Sequence, residues 1–219
     1  MLKIYGVYRS RASRVYWLAG ELGIAFESIP VIQANRLGDP FSSAAPVNTR
    51  SPTYLAINPM GQIPSIDDDG LILHESLAIN LYLARKHGGP LSASNSAEDA
   101  LISGWSLWGA TSVEPSTVSI VLTFDRRLES TSAGKGIISN AVKALRLPFA
   151  VLDQHLQRSA YLVGDCFTVA DLNVAEILRY AMSQTELFEA APNVTRWLRR
   201  CQARAAFAEM MEVRAREPE

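Results

Sequence analysis

The chain reads as two domains in series, an α/β domain followed by an all-helical one. Three observations predict this. A strand, a helix and a second strand succeed one another within the first 32 residues; two further strand patterns flank Asp69-Gly70; and after Glu98 helical periodicity recurs with no strand-like alternation.

Leu2 to Tyr5 has the length and composition of a short strand. Val15, Leu18, Ala19 and Leu22 then share one helical face, and Gly23 ends that helix. Phe26 to Ile32 predicts the second strand, and two strands joined through a helix run parallel. Gln33 to Tyr54, rich in Pro, Ser, Ala and Asn, predicts an irregular loop with one short helix. Ile63 to Ile66 and Leu71 to Leu73 predict an antiparallel hairpin, because Asp69-Gly70 supplies the positive φ angles that a tight turn demands. Leu77, Ala78, Leu81 and Tyr82 mark a helix running to about Lys86. His87-Gly88-Gly89-Pro90 and the Ser/Ala/Asn run to Ser96 then break regular structure. Residues 87–97 therefore read as a linker between a first domain, 1–86, and a second, 98–219.

In the second domain helical patterns recur around 105–124, 136–157, 168–183, 192–202 and 205–214. Thr168-Val169-Ala170-Asp171 has the form of a capping box with Asp in place of Glu or Gln. Pro192 suits the first position of a helix, whereas Pro115 and Pro148, inside apolar patterns, predict kinks or breaks.

Composition narrows the function classes. With 219 residues and 48% hydrophobic composition the chain can bury a sizeable core, and disorder is not expected. A formal charge of -1 supplies no long-range field for nucleic acid or an acidic membrane surface. Residues 1–50 alone carry Lys3, Arg9, Arg11, Arg14, Arg36 and Arg50 against Glu21, Glu27 and Asp39, a local excess that suits a small anion. No stretch has the roughly 18 apolar residues of a membrane span, and the first residues predict no secretory signal. Cys166 and Cys201 form neither a Cys-x-x-Cys pair nor a metal-ligand spacing, so a reducing cytoplasm is the expected setting and no metal is expected.

Two blocks concentrate the chemistry. Asn58-Pro59-Met60-Gly61-Gln62-Ile63-Pro64 offers a stiff X-Pro edge where a strand begins, and an extended small peptide can pair its backbone there. Glu75-Ser76 brings a carboxylate and a hydroxyl to the unsatisfied N–H groups of a helix start, which suits a zwitterion: Glu75 takes an ammonium, the helix end a carboxylate. Between the first strand and helix, Tyr8-Arg9-Ser10-Arg11-Ala12-Ser13-Arg14 delivers hydroxyls and guanidinium groups to the positive end of a helix, where a thiolate would be stabilised. Ser10 is the first choice of donor because it precedes the helix proper; both serines also suit capping and loop solvation. No Gly-x-Ser-x-Gly elbow surrounds either, and His74, His87 and His155 show no orienting pattern for a serine nucleophile.

The order strand, serine loop, helix, strand, X-Pro strand, Asp-Gly hairpin, Glu-Ser helix resembles the cytosolic glutathione transferase family, in its serine-type (theta/phi/bacterial-like) branch, over essentially the whole chain. The 58–64 block with Glu75-Ser76 is similar to that family's glutathione-binding signature, and 168–171 after Leu162-Val163-Gly164 to the capping motif of its helical domain. The resemblance implies a thioredoxin-like N-terminal domain with a cis peptide at Pro64, an all-α C-terminal helical bundle, and a homodimer. It implies that Ser10 donates to the glutathione sulfur, that Ile63 pairs with the cysteinyl unit, and that Gln62, Glu75 and Ser76 hold the γ-glutamyl end. Tyr8, Trp105, Trp108 and Ser112 are the expected walls for a small apolar electrophile, though the tryptophans also suit ordinary helix packing.

The chain departs from related patterns at several points. Tyr5 and Tyr8 are rivals to Ser10, since tyrosine-type members place their catalytic residue just after the first strand. The serine loop has no cysteine, as glutaredoxin-like members require, and 33–54 offers only Arg36 and Arg50 for the glycyl carboxylate. The expected activity is glutathione transfer with glutathione as co-substrate and no other cofactor. Alternatives are a glutathione-dependent peroxidase or reductase, a dehalogenase, or a non-catalytic binding module on the same fold.

Overall fold

Four short strands form one mixed sheet in the order β2-β1-β3-β4: β1 (Leu2–Tyr5), β2 (Phe26–Ile29), β3 (Ser65–Asp68) and β4 (Leu71–His74). The computed structural model describes residues 1–218. Contacts divide the chain into two units, one of Met1–His87 with the segment from Arg204 onward, the other of Gly88–Ala203.

In the first unit β1 pairs parallel with β2, as a helical crossover requires, and antiparallel with β3. The hairpin β3-β4 turns at Asp69 and Gly70, with φ of 52° and 95°, the left-handed pair that the Asp-Gly dipeptide supplies. Leu2 and Ile4 alternate inward from β1, and Ile66 joins them from β3. The helix α1 (Ser13–Leu22) covers them with Val15, Trp17, Leu18 and Ala19, and ends at Gly23 in the left-handed conformation. The short helix α2 (Pro52–Leu55) opens on a proline, and α3 (Ser76–His87) packs on α1 through Ile79 and Leu83. The second strand is shorter than its apolar run suggests. From Pro30 the chain leaves the sheet, and Ile32 makes only an isolated bridge to Asn48. Pro30 has no N–H to extend the ladder.

The last helix of the chain, α10 (Ala205–Arg216), belongs to this first unit, a placement that the run of helical patterns after Glu98 does not anticipate. It packs on α1: Phe207 meets Trp17 edge to face with centroids 4.8 Å apart, and Arg204 grips Glu21 at 2.8 and 2.7 Å.

One ion pair in this unit gives it a pH signature. Asp68 on β3 accepts from Lys86 Nζ at 2.5 Å and Tyr82 OH at 2.8 Å. Burial works to raise its carboxyl pKa, but these two donors together hold it below the ordinary value of 3.8. A depressed carboxyl pKa contributes stability above the unfolded value and loses it as pH falls through the folded one. Asp68→Asn is therefore expected to lower the urea midpoint at pH 7, with the difference from wild type shrinking below pH 3.8; a difference constant from pH 7 to pH 2 would remove the pair from stability.

The second unit is helical throughout its regular structure: α4 (Ser96–Trp108), α5 (Glu114–Asp125), α6 (Ser132–Leu156), α7 (Val169–Arg179), α8 (Thr185–Glu189) and α9 (Pro192–Gln202). Between α4 and α5 lies a π-helical turn, Gly109–Val113. The ring of Pro115 forbids a regular turn before it, so the break expected there falls one turn earlier. Pro148 breaks nothing, contrary to expectation; α6 runs through it for 25 residues. The carbonyl that Pro148 leaves without a partner belongs to Ala144 on the exposed face, while Leu145, Phe149, Leu152 and Leu156 bury the opposite stripe.

Helix α7 is buried on every side and forms the centre of this unit. Its capping box forms as the sequence predicts, and Asp171 does more than close it. The fully buried carboxylate accepts from Thr168 N–H at 3.0 Å, Leu162 N–H at 3.0 Å and Trp197 Nε1 at 2.8 Å, joining the preceding loop and α9 to α7. From α6, Asp153 caps α9 by accepting from Asn193 N–H at 2.7 Å and Val194 N–H at 3.1 Å. Among the described residues no helix is long and apolar enough to cross a membrane.

Candidate active site

The sheet topology brings the chemistry-bearing segments to one edge. Because β1 and β2 are parallel and β3 is antiparallel to both, the loops after Tyr5 and Ile29 and the segment before Ser65 emerge side by side. Ser65 lies opposite His74, so Glu75 and the start of α3 reach the same edge. A cleft of about 580 Å³ opens there, lined by Ser10 and Arg11 from the first loop, Gln33 from the second, Arg50, and Gly61, Gln62 and Ile63 from the third.

The X-Pro block is folded by its own side chains. Asn58 to Gly61 is a turn closed by Gly61 N–H donating to Asn58 O at 2.9 Å, with Pro59 at the second position. Gly61 has a φ of 60°, and a Cβ there would lie 2.5 Å from Thr49 O, so only glycine fits. Buried Asn58 donates to Gln62 O at 2.8 Å, and Tyr54 OH donates to the same carbonyl at 2.5 Å. Tyr54 OH also lies 2.9 Å from Ser65 Oγ, which meets His74 Nδ1 at 3.0 Å. Burial raises the Tyr54 pKa, which keeps the phenol a donor. The Ile63-Pro64 peptide is cis, with Ile63 on the cleft and Pro64 buried behind it. Tyr54 and Asn58 support this edge; Asn58 opens the block that the sequence marks, whereas nothing in the sequence marks Tyr54.

Ser10 lies where its loop meets α1. Its Oγ accepts from Ala12 N–H at 3.0 Å and donates to Val7 O at 2.6 Å. The hydroxyl is thus both a local cap and a donor at the positive end of a helix whose N-cap residue, Ala12, makes no side-chain cap. To serve an anion in the cleft it exchanges Val7 O for that anion. Of the four rivals for this role, Ser10 alone lines the cleft. Ser13 is fully buried in α1, Tyr5 lies near Tyr54, and Tyr8 stacks on Tyr16 at 3.8 Å. Burial, then the charge of Glu217, raises the Tyr8 pKa, so its phenol stays neutral.

Glu75 and Ser76 stand apart from the cleft's lining. Glu75 is exposed, with a left-handed φ of 66°, and its carbonyl accepts from Ile79 N–H at 2.9 Å. A non-glycine residue held there stores strain on the order of 1 kcal/mol. Ser76 is buried, and its Oγ accepts from Arg14 Nη1 at 3.0 Å. Of the two candidates for a carboxylate partner, Arg50 lines the cleft, whereas Arg36 donates to Arg9 O at 3.0 Å. Arg11, from the loop that the sequence marks for its guanidinium groups, adds a second cation to the lining. In the second unit Trp105 and Trp108 meet edge to face at 5.1 Å, Trp105 also lies 4.9 Å from His155, and Ser112 is exposed on the π-helical turn. Among the described residues no His, Cys, Asp and Glu side chains gather in a group suited to a metal.

Known proteins share this organisation. Residues 4–91 match the family described as glutathione S-transferase, N-terminal domain, and residues 126–205 match glutathione S-transferase, C-terminal domain. The chain is 30% identical over 221 residues to a glutathione S-transferase of Hyoscyamus muticus, covering 96% of this chain and 98% of that one. It is 31% identical to glutathione S-transferase 3 of Zea mays, covering 94% and 91%. The crystal structure of glutathione transferase F7 from Populus trichocarpa superposes with a TM-score of 0.83 at 30% identity, covering 98% and 99%.

Proposed function

The chain belongs to the glutathione S-transferase family and is a glutathione transferase, and from that premise we propose that Ser10 stabilises the glutathione thiolate for attack on a small apolar electrophile. One observation carries this reading: a hydroxyl at a helix start and an X-Pro strand edge line the same cleft, together with two arginines. The tripeptide lies extended along Ile63, whose backbone pairs with the cysteinyl unit ahead of Pro64, and its sulfur turns to Ser10 across the cleft. Gln62, Glu75 and Ser76 hold the γ-glutamyl end, and Arg50 or Arg11 takes the glycyl carboxylate.

A free thiol of pKa about 8.5 is only a few per cent ionised at pH 7. Lowering that pKa by roughly two units takes about 2.7 kcal/mol of preferential anion stabilisation, which a hydroxyl donor and a helix terminus together supply. The sulfur provides the nucleophile, and the protein provides binding, orientation and electrostatics. Residues 1–86 serve glutathione, and Tyr8 in the first unit and Trp105, Trp108 and Ser112 in the second are the groups assigned to the electrophile. A homodimer in the cytoplasm is the form in which we expect it to work.

Glu75 offers a test in which stability and binding separate. Glu75→Gly removes the left-handed strain and should leave the melting temperature equal or higher, while the KM for glutathione rises by about tenfold or more. A variant with unchanged KM would take Glu75 out of the ligand site. Product analysis tests the reaction itself. A thioether formed from glutathione and the electrophile supports transfer; glutathione disulfide as the sole product would replace it with a reductase or peroxidase.

A further inference from the structure

The loop that presents Ser10 is held by side chains from the opposite end of the sequence. Glu217 follows α10, and its two carboxylate oxygens accept from Tyr8 N–H and Arg9 N–H at 2.7 Å each. One turn of chain earlier, Arg214 Nη1 donates to Tyr8 O at 2.5 Å. Arg36 Nη2 donates to Arg9 O, and Ser10 Oγ to Val7 O. The backbone groups from Val7 O to Arg9 O are thus met by side chains, and the loop has no ladder or helix of its own to fix it.

Packing explains why these residues arrive there. Arg204 binds Glu21, Ala206 lies against Gly20 and Phe207 against Trp17, so α10 starts beside the end of α1 and runs antiparallel to it. Its 12 residues rise about 18 Å, back to the start of α1, where the Ser10 loop lies. A carboxylate bridging two consecutive N–H groups and a guanidinium on the carbonyl between them form a two-sided clamp.

We infer that Glu217 and Arg214 are positioning residues for the transfer reaction, fixing the backbone from which Ser10 reaches the sulfur. The inference rests on Ser10 being the sulfur's donor. It assigns the last turn of α10 and the residue after it a part in catalysis without contact with glutathione. The clamp acts on the serine loop and leaves the Gln62-Ile63 edge alone, so its loss should affect the thiolate more than the affinity for the tripeptide.

The test uses the full chain and reduced glutathione with a chromogenic electrophile, comparing Glu217→Ala, Glu217→Gln, Arg214→Met, Ser10→Ala and, as a control on the exposed face of α10, Glu212→Gln. In Glu217→Ala, kcat at pH 7 should fall about threefold as the donor loses its position, with the KM for glutathione nearly unchanged. The pKa of the bound thiol should rise by about one unit. Arg214→Met should move the same way. Glu217→Gln, whose single amide oxygen can accept from one of the two N–H groups, should recover part of the loss, and Glu212→Gln should match wild type. The inference is overturned if Glu217→Ala and Arg214→Met titrate as wild type while Ser10→Ala does not. It is also overturned if kcat and glutathione affinity fall together with no recovery in Glu217→Gln, the pattern of a merely structural contact. A Ser10→Ala variant with an unshifted thiol would instead remove the donor role of Ser10, and the clamp's purpose with it.

Discussion

Replacing Ser10 by alanine is expected to lower kcat at pH 7 by roughly eightfold and to leave the KM for glutathione nearly unchanged. The magnitude follows from ionisation. A bound thiol of pKa about 6.5 is about three-quarters thiolate at pH 7; without the hydroxyl but with the helix terminus still in place, one of pKa about 8 is about 9% thiolate. The variant and wild type should therefore converge above about pH 9, where both thiols are ionised. Stopped-turnover rates across that pH range check this. A loss of equal size at pH 7 and pH 9 would mean that Ser10 acts on something other than the thiolate. Unchanged turnover would pass the role to Tyr8 or Ser13.

Asp171→Ala should cause the largest loss of stability of any single substitution considered for the second unit. Its carboxylate satisfies Thr168 N–H, Leu162 N–H and the Trp197 indole, all buried. Each donor left unpaired costs about 1–3 kcal/mol, so a loss of about 4 kcal/mol is expected. For a chain of this size that corresponds to a melting temperature lower by roughly 8–16 °C. Asp171→Asn keeps an acceptor and should cost less than half as much, and Trp197→Phe, which removes one donor and keeps most of the packing, less again. Thermal unfolding of the three variants checks the order. An alanine variant that melts within 2 °C of wild type, roughly 1 kcal/mol or less, would show that water replaces the carboxylate.

The fold was readable wherever a local period decides it. Alternation in Leu2–Tyr5, the 3.6-residue face of α1 and the Asp69-Gly70 turn each act within a few residues, so their signals survive in the bare sequence. The cleft was readable for a related reason. Ser10, Gln62 and Ile63 sit at strand ends that the parallel and antiparallel pairings place at one edge. Pairings across the chain left no such trace. Glu217 lies 209 positions from Tyr8, and nothing near Glu217 marks a carboxylate that reaches two N–H groups. Helical periodicity in 205–214 says that an apolar face exists, not which core receives it. Gln33, Arg11 and Phe41 line the cleft from irregular segments, where no period points a side chain in one direction. Pro148 shows the opposite limit, a strong local breaker overridden by the buried stripe of α6.

The central claim is that this cleft turns a tripeptide thiol into a thiolate near neutral pH. A pH titration of the thiolate's ultraviolet absorbance, with reduced glutathione bound to the wild-type chain, tests it most directly. The predicted result is an apparent pKa about two units below the free value of about 8.5. Glutathione that binds yet titrates at its free value would contradict it.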